Sequence, residues 1–315
     1  MMVRSAFAAL GFLCLVALPA AAQQAAANNL PFKLAQVGPG VYAAIGGPKA
    51  GSNAGFVIGD DGVLVVDSFF YPDAAKALRD EIRRITDKPI RYVVNTHYHI
   101  DHVSGDAVFK AAGATIIAHR NVPGWIHTGN RHLMGGDAIP PDIKAQIDAL
   151  ILPDRTIDKT TVLMLGKRRV AIRPVLGHTG GDLEVEVPDV KVMFTGDILW
   201  NHSTPNLTDA TTSQWIVTLA DLERLPNEVF VPGHGDVATS RDVASLRQLF
   251  TDLREWTTDA RRQGLSGNTL QQSVATKLRA QHGDWLYMDR GAPVLADFMD
   301  QELAGTKRVP VPAAK

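Results

Sequence analysis

Between Thr96 and His102 the chain reads Thr-His-Tyr-His-Ile-Asp-His, directly after the apolar run Tyr92-Val93-Val94. Histidine nitrogen and carboxylate oxygen are the donors zinc accepts most readily where no thiolate is present. In an extended segment alternate side chains share a face, so His97 and His99 can reach one ion together. Asp101 and His102 lie past the strand end, where the chain can turn toward a second ion. The competing reading is a polar loop whose histidines coincide by chance.

Three further polar clusters end apolar runs in the second half. They are Leu176-Gly177-His178-Thr179-Gly180-Gly181-Asp182, Phe194-Thr195-Gly196-Asp197 and Val231-Pro232-Gly233-His234-Gly235. Each sets glycine beside the polar residue, as a backbone turning tightly near a crowded site requires.

The elements that must position these residues follow from periodicity. Strands are expected at 41–45, 54–58 and 63–67, separated by the Gly46-Gly47-Pro48 and Asp60-Asp61-Gly62 turns. Asp73 to Thr86 reads as a helix with Ala75, Leu78, Ile82 and Ile85 on one face. A strand at 91–95 delivers the histidine cluster, and a short helix at 106–112 and a strand at 115–118 follow. Residues 120–156 are irregular, with a weak helix from Pro141 to Leu150. So long an irregular segment reads as a lid or binding loop, or else as a surface insertion. Strands at 161–165, 170–174, 183–187 and 190–195, a helix at 213–225 and a strand at 229–231 repeat the style of the first half. From Arg241 the chain turns helical, with a stripe of Val243, Leu246, Phe250 and Leu253. Gly264 to Gly267 breaks it, and helices at 269–281 and 293–303 complete a tail whose default role is packing on the core.

Composition bounds the rest. The chain has 315 residues, 45% hydrophobic and 21% charged, an ordinary globular balance. The net charge of −1 implies no polyanion-binding surface, so no nucleic-acid partner is expected. Arg4, the apolar run Ala6 to Leu18, Pro19 and an A-x-A site at Ala20-Ala21-Ala22 read as a cleavable export signal over residues 1–22. The run is short for a membrane span. A periplasmic or secreted location follows, with no stable membrane span once the signal is removed. The single cysteine, Cys14, falls within that signal. The mature chain would then have no disulfide, thiolate nucleophile or cysteine metal ligand. The expected division is residues 23–240 for the main domain, 241–305 for a helical extension packed on it and 306–315 for a frayed tail, with 23–36 a loose lead-in.

In this order and spacing, the clusters resemble the metallo-β-lactamase superfamily over roughly Val41 to Ala238. The resemblance implies an α/β fold, a four-layer αββα sandwich with a two-metal site at one edge. It implies that His97, His99 and His178 hold one Zn2+ ion, that Asp101, His102 and His234 hold a second, and that Asp197 bridges them. It further implies a hydroxide held between the ions, and a hydrolase of small-molecule substrates that attacks a carbonyl centre in a β-lactam amide, ester, lactone or thioester. A β-lactamase-like activity is the leading specific expectation. Aspartate at 197 is the choice of glyoxalase-II-like and general hydrolases of the superfamily, where one lactamase subclass has cysteine. Ile198-Leu199-Trp200 lacks the lysine that often grips a β-lactam carboxylate, yet Asn206-Leu207-Thr208-Asp209-Ala210 looks like a lactamase loop whose Asn polarises the substrate carbonyl. Asn206 reads equally as a turn residue.

Asp67 and Asp182 are candidates to orient ligating histidines, since such rings commonly donate their second nitrogen to a carboxylate. For Asp67 the alternative is solvation or capping of the helix before Pro72. Trp125 and Trp200 are candidate apolar walls of a substrate pocket. Three other functions fit parts of the pattern. A phosphodiesterase could use the same two ions, but no basic stripe supports nucleic acid. An iron-dependent persulfide-type oxidoreductase sits poorly with export, and the diiron relatives place Glu where this chain has His99. A non-enzymatic periplasmic metal-binding or relay protein is the fourth reading.

Overall fold

Two apolar sheet faces, one from each half of the chain, meet in the middle of the fold. The computed structural model describes residues 30–308; the expected signal, residues 23–29 and residues 309–315 lie outside the described residues. The first sheet keeps chain order across seven strands: β1 (Phe32–Gly38), β2 (Val41–Gly46), β3 (Ala54–Ile58), β4 (Val63–Val66), β5 (Ile90–Val94), β6 (Thr115–His119) and β7 (Arg155–Ile157). β1 to β4 are antiparallel neighbours, and β4 to β7 run parallel. The second sheet has five strands in the order β12-β11-β10-β9-β8: β8 (Thr161–Leu165), β9 (Arg168–Val175), β10 (Asp182–Val187), β11 (Val192–Trp200) and β12 (Val229–His234). Only β11 and β12 are parallel. Val57, Leu64, Val94 and Ile117 of the first sheet share one buried cluster with Ile172, Leu183, Val185 and Phe194 of the second. These positions alternate along their strands, so one face of each sheet is committed to this contact.

Helices cover the outer faces, giving the expected mixed α/β sandwich. α1 (Pro72–Ile85) starts with Pro at its first turn and buries Ala74, Ala75, Leu78 and Ile82. A single turn, α2 (Ile100–Val103), and α3 (Asp106–Ala111) follow β5. The irregular stretch condenses into α4 (Val122–Trp125), α5 (Thr128–Leu133), a 3-10 turn at Gly136–Ala138 and α6 (Pro141–Asp148). Outside the second sheet lie α7 (Thr212–Glu223), α8 (Ser240–Arg262), α9 (Gly267–His282) and α10 (Met288–Ala304). A capping box of Thr239 and Asp242 starts α8. Val243, Leu246, Phe250 and Leu253, the stripe read from sequence, join Trp215, Met193 and Phe230 in one buried cluster, so the tail shares the core of the second sheet.

Four expectations need correction. The lead-in is not loose throughout: β1 pairs with β2 from Phe32 onward. It escapes the pattern because it is an edge strand with only Phe32 buried. The three-residue β7 is too short to carry a period. The last helix begins at Met288, with Pro293 inside it. A proline there frees the carbonyl four residues earlier; that carbonyl, Asp289 O, accepts from Arg279 Nε and Nη2 at 3.2 and 2.6 Å. Residues 306–308, expected to fray, are tied down: Lys307 N donates to Gln301 O and Lys307 Nζ to Ala210 O.

Candidate metal centre

Parallel strands bring their carboxyl ends to one edge, as β4 to β7 do in the first sheet and β11 and β12 in the second. His97 and His99 follow β5, and α2 then turns the chain so that Asp101 and His102 face the same edge. His178 comes from the β9–β10 loop, and His234 is the last residue of β12. Asp197 lies within β11, where the register to β12 shifts on both sides of Gly196. Such an irregularity re-aims a side chain that a regular strand would point elsewhere. Gly196 takes φ +51°, and a Cβ there would meet Thr96 Oγ1 at 2.4 Å. A Cβ on Gly233 would lie 1.8 Å from Asp197 Oδ1. Both glycines therefore let backbone approach the centre where no side chain fits.

The structure brings all seven predicted side chains together in two groups. One is His97, His99, His178 and Asp197; the other is Asp101, His102 and His234, and within each group the donor atoms lie within 4.8 Å of one another. Asp197 stands between them. Its Oδ2 is 3.2 Å from His178 Nε2 and 3.9 Å from His97 Nε2. Its Oδ1 is 3.0 Å from His102 Nε2 and 3.5 Å from His234 Nε2. His99 Nδ1 is 2.9 Å from His178 Nε2, and Asp101 Oδ2 is 3.2 Å from His234 Nε2.

These donors fit divalent cations. His97 Nε2, His102 Nε2, His234 Nε2 and Asp197 Oδ1 are buried without a hydrogen-bond partner among the described residues, a costly arrangement unless something binds there. The field points the same way. Burial opposes charge on His102, but the carboxylates of Asp197, Asp101 and Asp67 outweigh it and hold its pKa well above the usual histidine value. Burial is likewise overcome at His234, where Asp197 and Asp101 bring the pKa up to about 9. At Asp197 burial favours the neutral acid, yet His234, His102 and His178 hold its pKa well below the usual carboxylate range. The field around His102 and His234 thus favours positive charge, which a divalent ion would supply, while burial lowers the pKa of His97 and of His178, the latter to about 3, keeping those rings neutral donors.

Ring orientation is fixed from behind. Asp67, at φ +59°, accepts from Thr96 N and Thr96 Oγ1 and lies 2.8 Å from His102 Nδ1, leaving His102 Nε2 for the centre. Asp182 does not touch a histidine ring. It accepts from Thr179 N and Thr179 Oγ1, and so shapes the loop that carries His178. Burial raises its pKa to about 8, which favours its neutral form.

A cleft of about 450 Å³ opens on the Asp101 side. Asn206 lines it; its Oδ1 accepts from Thr208 N and Thr208 Oγ1 in a turn, which leaves Nδ2 free of that network. Neither tryptophan lines this cleft. Trp125 is 3% exposed, packed against Tyr98 and over Gly180, because the loop around it forms its own small core. Trp200 stacks on the His234 ring with centroids 4.0 Å apart, so it braces a candidate ligand.

Three supporting residues were not read from the sequence. Asp209 lies 3.0 Å from His99 Nε2 and accepts from Tyr98 Oη. Asn53 donates to Pro232 O and Gly235 O at 2.9 and 2.8 Å and accepts from Gly46 N, tying the His234 turn to the first sheet. Asn130 accepts from Ile100 N and donates to Tyr98 O, pinning the loop between the two groups to α5. Asp209 sat in a loop already singled out for Asn206, and the other two belong to no motif.

Comparison with known proteins places this geometry. Residues 47–234 match the metallo-β-lactamase superfamily. A hydroxyacylglutathione hydrolase of Brucella anthropi is 28% identical over 180 residues, covering 57% of this chain and 59% of that protein. A linear primary-alkylsulfatase of a Pseudomonas species is 22% identical over 216 residues, covering 58% of this chain and 41% of that one. The chain thus spans about half the length of the curated relatives it matches. Among solved structures, a metallo-β-lactamase from Pontibacter korlensis shares the fold with a TM-score of 0.56 at 18% identity, over 70% of this chain and 99% of that one. With the matched residues spanning all seven candidate ligands from His97 to His234, the chain belongs to the metallo-β-lactamase superfamily.

Proposed function

We propose that this protein is an exported hydrolase that holds two Zn2+ ions and cleaves an acyl bond in a small molecule. The observation that supports this best is the position of Asp197, with one carboxylate oxygen toward each group of donors. A carboxylate so placed would hold both ions at once. Bound ions would lower the pKa of water toward neutrality and stabilise the oxyanion that forms on an attacked carbonyl.

The chain's own residues do the rest. His97, His99 and His178 hold the inner position, with Asp209 keeping the His99 ring turned. Asp101, His102 and His234 hold the outer position, where Asp101 also lines the cleft. The free Nδ2 of Asn206 donates to the substrate carbonyl oxygen and so helps polarise it. Export rests on the signal-like sequence of residues 1–22.

The test is a hydrolysis panel on the mature, zinc-loaded protein: a chromogenic cephalosporin, an aryl ester, a lactone, a thioester, an aryl phosphodiester and a linear alkyl sulfate. The names of the Brucella and Pseudomonas relatives motivate the thioester and sulfate arms. Turnover of an acyl substrate, lost in Asp197→Ala, is the expected result. Turnover of the phosphodiester or the sulfate alone would replace acyl chemistry with phosphoryl or sulfuryl transfer, and full activity in Asp197→Ala would remove the bridge.

A further inference from the structure

We propose that the cleft beside Asp101 selects substrates whose non-reacting part is apolar and uncharged, as in a medium-chain acyl ester or an acyl-substituted lactone. This rests on the hydrolase reading and specifies its substrate.

The walls come from three separate places in the chain. Phe70 and Tyr71 stand on the β4–α1 connection, Leu133 and Met134 at the end of α5, and Ile100 forms part of the floor beside Asp101. Phe70 is held from two sides. Gly51, at φ +93°, brings backbone so close that a Cβ would meet Phe70 Cβ at 2.6 Å, and Gln146 Nε2 donates to Phe70 O. The Tyr71 ring meets the Phe70 ring edge-on at 4.8 Å. Tyr71 is 43% exposed, an aromatic left open at the rim of a site. The volume is in the range of small-molecule sites.

Charge separates this cleft from one built for an acidic substrate. Among the described residues no lysine or arginine lines it, and the one charged side chain in its lining is Asp101. Arg131 and Lys144, the cations of the neighbouring helices α5 and α6, both pair with Asp148, at 2.5 and 2.8 Å. Lys49 shares a turn with Pro48 but is exposed and outside the lining. Along these walls, away from the metal centre, a carboxylate would lose water without gaining a cationic side chain, whereas a buried methylene gains free energy. Asn206 and Thr208 supply the polar side, next to the reacting carbonyl.

The experiment has two arms on the zinc-loaded protein. In the first, alkyl hydroxamates from acetyl to octanoyl are titrated calorimetrically, which reads binding without turnover. In the second, p-nitrophenyl esters of the same chain lengths are compared with the p-nitrophenyl hemiester of glutaric acid. The expected result is a gain of about three- to fourfold per added methylene in both affinity and kcat/KM. The hemiester should be hydrolysed at least tenfold less efficiently than the uncharged ester of equal length. Met134→Lys should narrow or reverse that ratio, and Lys49→Gln should leave it unchanged. A flat chain-length series, or a preference for the hemiester in the unmodified protein, overturns the proposal. If hydroxamates show the slope but no ester is cleaved, the hydrolase reading fails and the cleft assignment stands. If esters are cleaved with no slope, the reverse holds.

Discussion

The two groups of donors differ in how they are held. His97, His99, His178 and Asp197 are each no more than 3% exposed, whereas the side chains of Asp101 and His234 are 23% and 18% exposed. The inner group is braced by polar contacts in the dry interior: Asp209 and Tyr98 behind His99, and Thr96 Oγ1 3.1 Å from His97 Nδ1. The outer group has one firm member, His102, fixed by Asp67, and two that are partly exposed, of which Asp101 lines the cleft. Of those two, His234 leans on a stacked indole and Asp101 on its backbone, whose carbonyl accepts from Ser52 Oγ. The inner position is thus enclosed and braced, while the outer one is partly open to the cleft. A difference of this kind predicts unequal affinities for two otherwise similar ions.

The largest expected effect lies between the groups. Asp197→Ala should reduce hydrolysis by on the order of 10²-fold or more and leave at most one ion bound, as read by metal analysis after dialysis. Retention of two ions would break the comparison, because each group would then stand alone. Asp209→Ala should lower affinity at the inner position by about 10–100-fold with the outer one little changed, the range found when carboxylates behind metal-bound histidines are removed. Loss at both positions together would show that the groups are not separately held. Trp200→Ala should do the converse on a smaller scale, weakening the outer ion a few-fold through the His234 ring, which loses its stacking partner.

Smaller still is Glu302→Ala. Glu302, on α10, accepts from Thr212 N and Ser213 N at 2.9 Å each, and so caps α7 from another helix. Its loss should cost about 1 kcal/mol of stability, as removal of a helix cap does. Since α7 follows directly on the Asp209 loop, a change in inner-ion affinity would mean that the tail also tunes the centre. Glu184→Gln provides a background that touches neither group. Burial raises the Glu184 pKa to about 7 despite Arg173 beside it. Its neutral form is favoured on folding, so that contribution is complete below pH about 4.5 and is lost as pH rises through about 7. Glutamine does not titrate, so the stability difference between variant and parent should grow in favour of the variant from pH 5 to pH 8 in urea unfolding.

Legibility in the sequence follows the range of the interactions. Four of the seven donors lie between His97 and His102, and the other three sit beside glycines, of which Gly196 and Gly233 bring backbone up to the centre, so local spacing carries them. The central strands were visible as short apolar runs between turn residues, and β3, β4, β10 and β11 are buried almost throughout. What escaped was held at long range or at an edge. Asp209 meets His99 across 110 residues, and Asn53 reaches the His234 turn across 179 and 182. A lone Asp or Asn in a loop offers no periodicity to read. Trp125 was misplaced for a related reason: the segment around it forms a core with Tyr98 and Ile100 that no strand or long helix announces.

The most direct test of the two-group account is a calorimetric titration of the metal-free protein with zinc. It should show two equivalents in separable steps, the tighter one weakened by Asp209→Ala and the looser one by Trp200→Ala. A single equivalent, or two that respond identically to both substitutions, would contradict it.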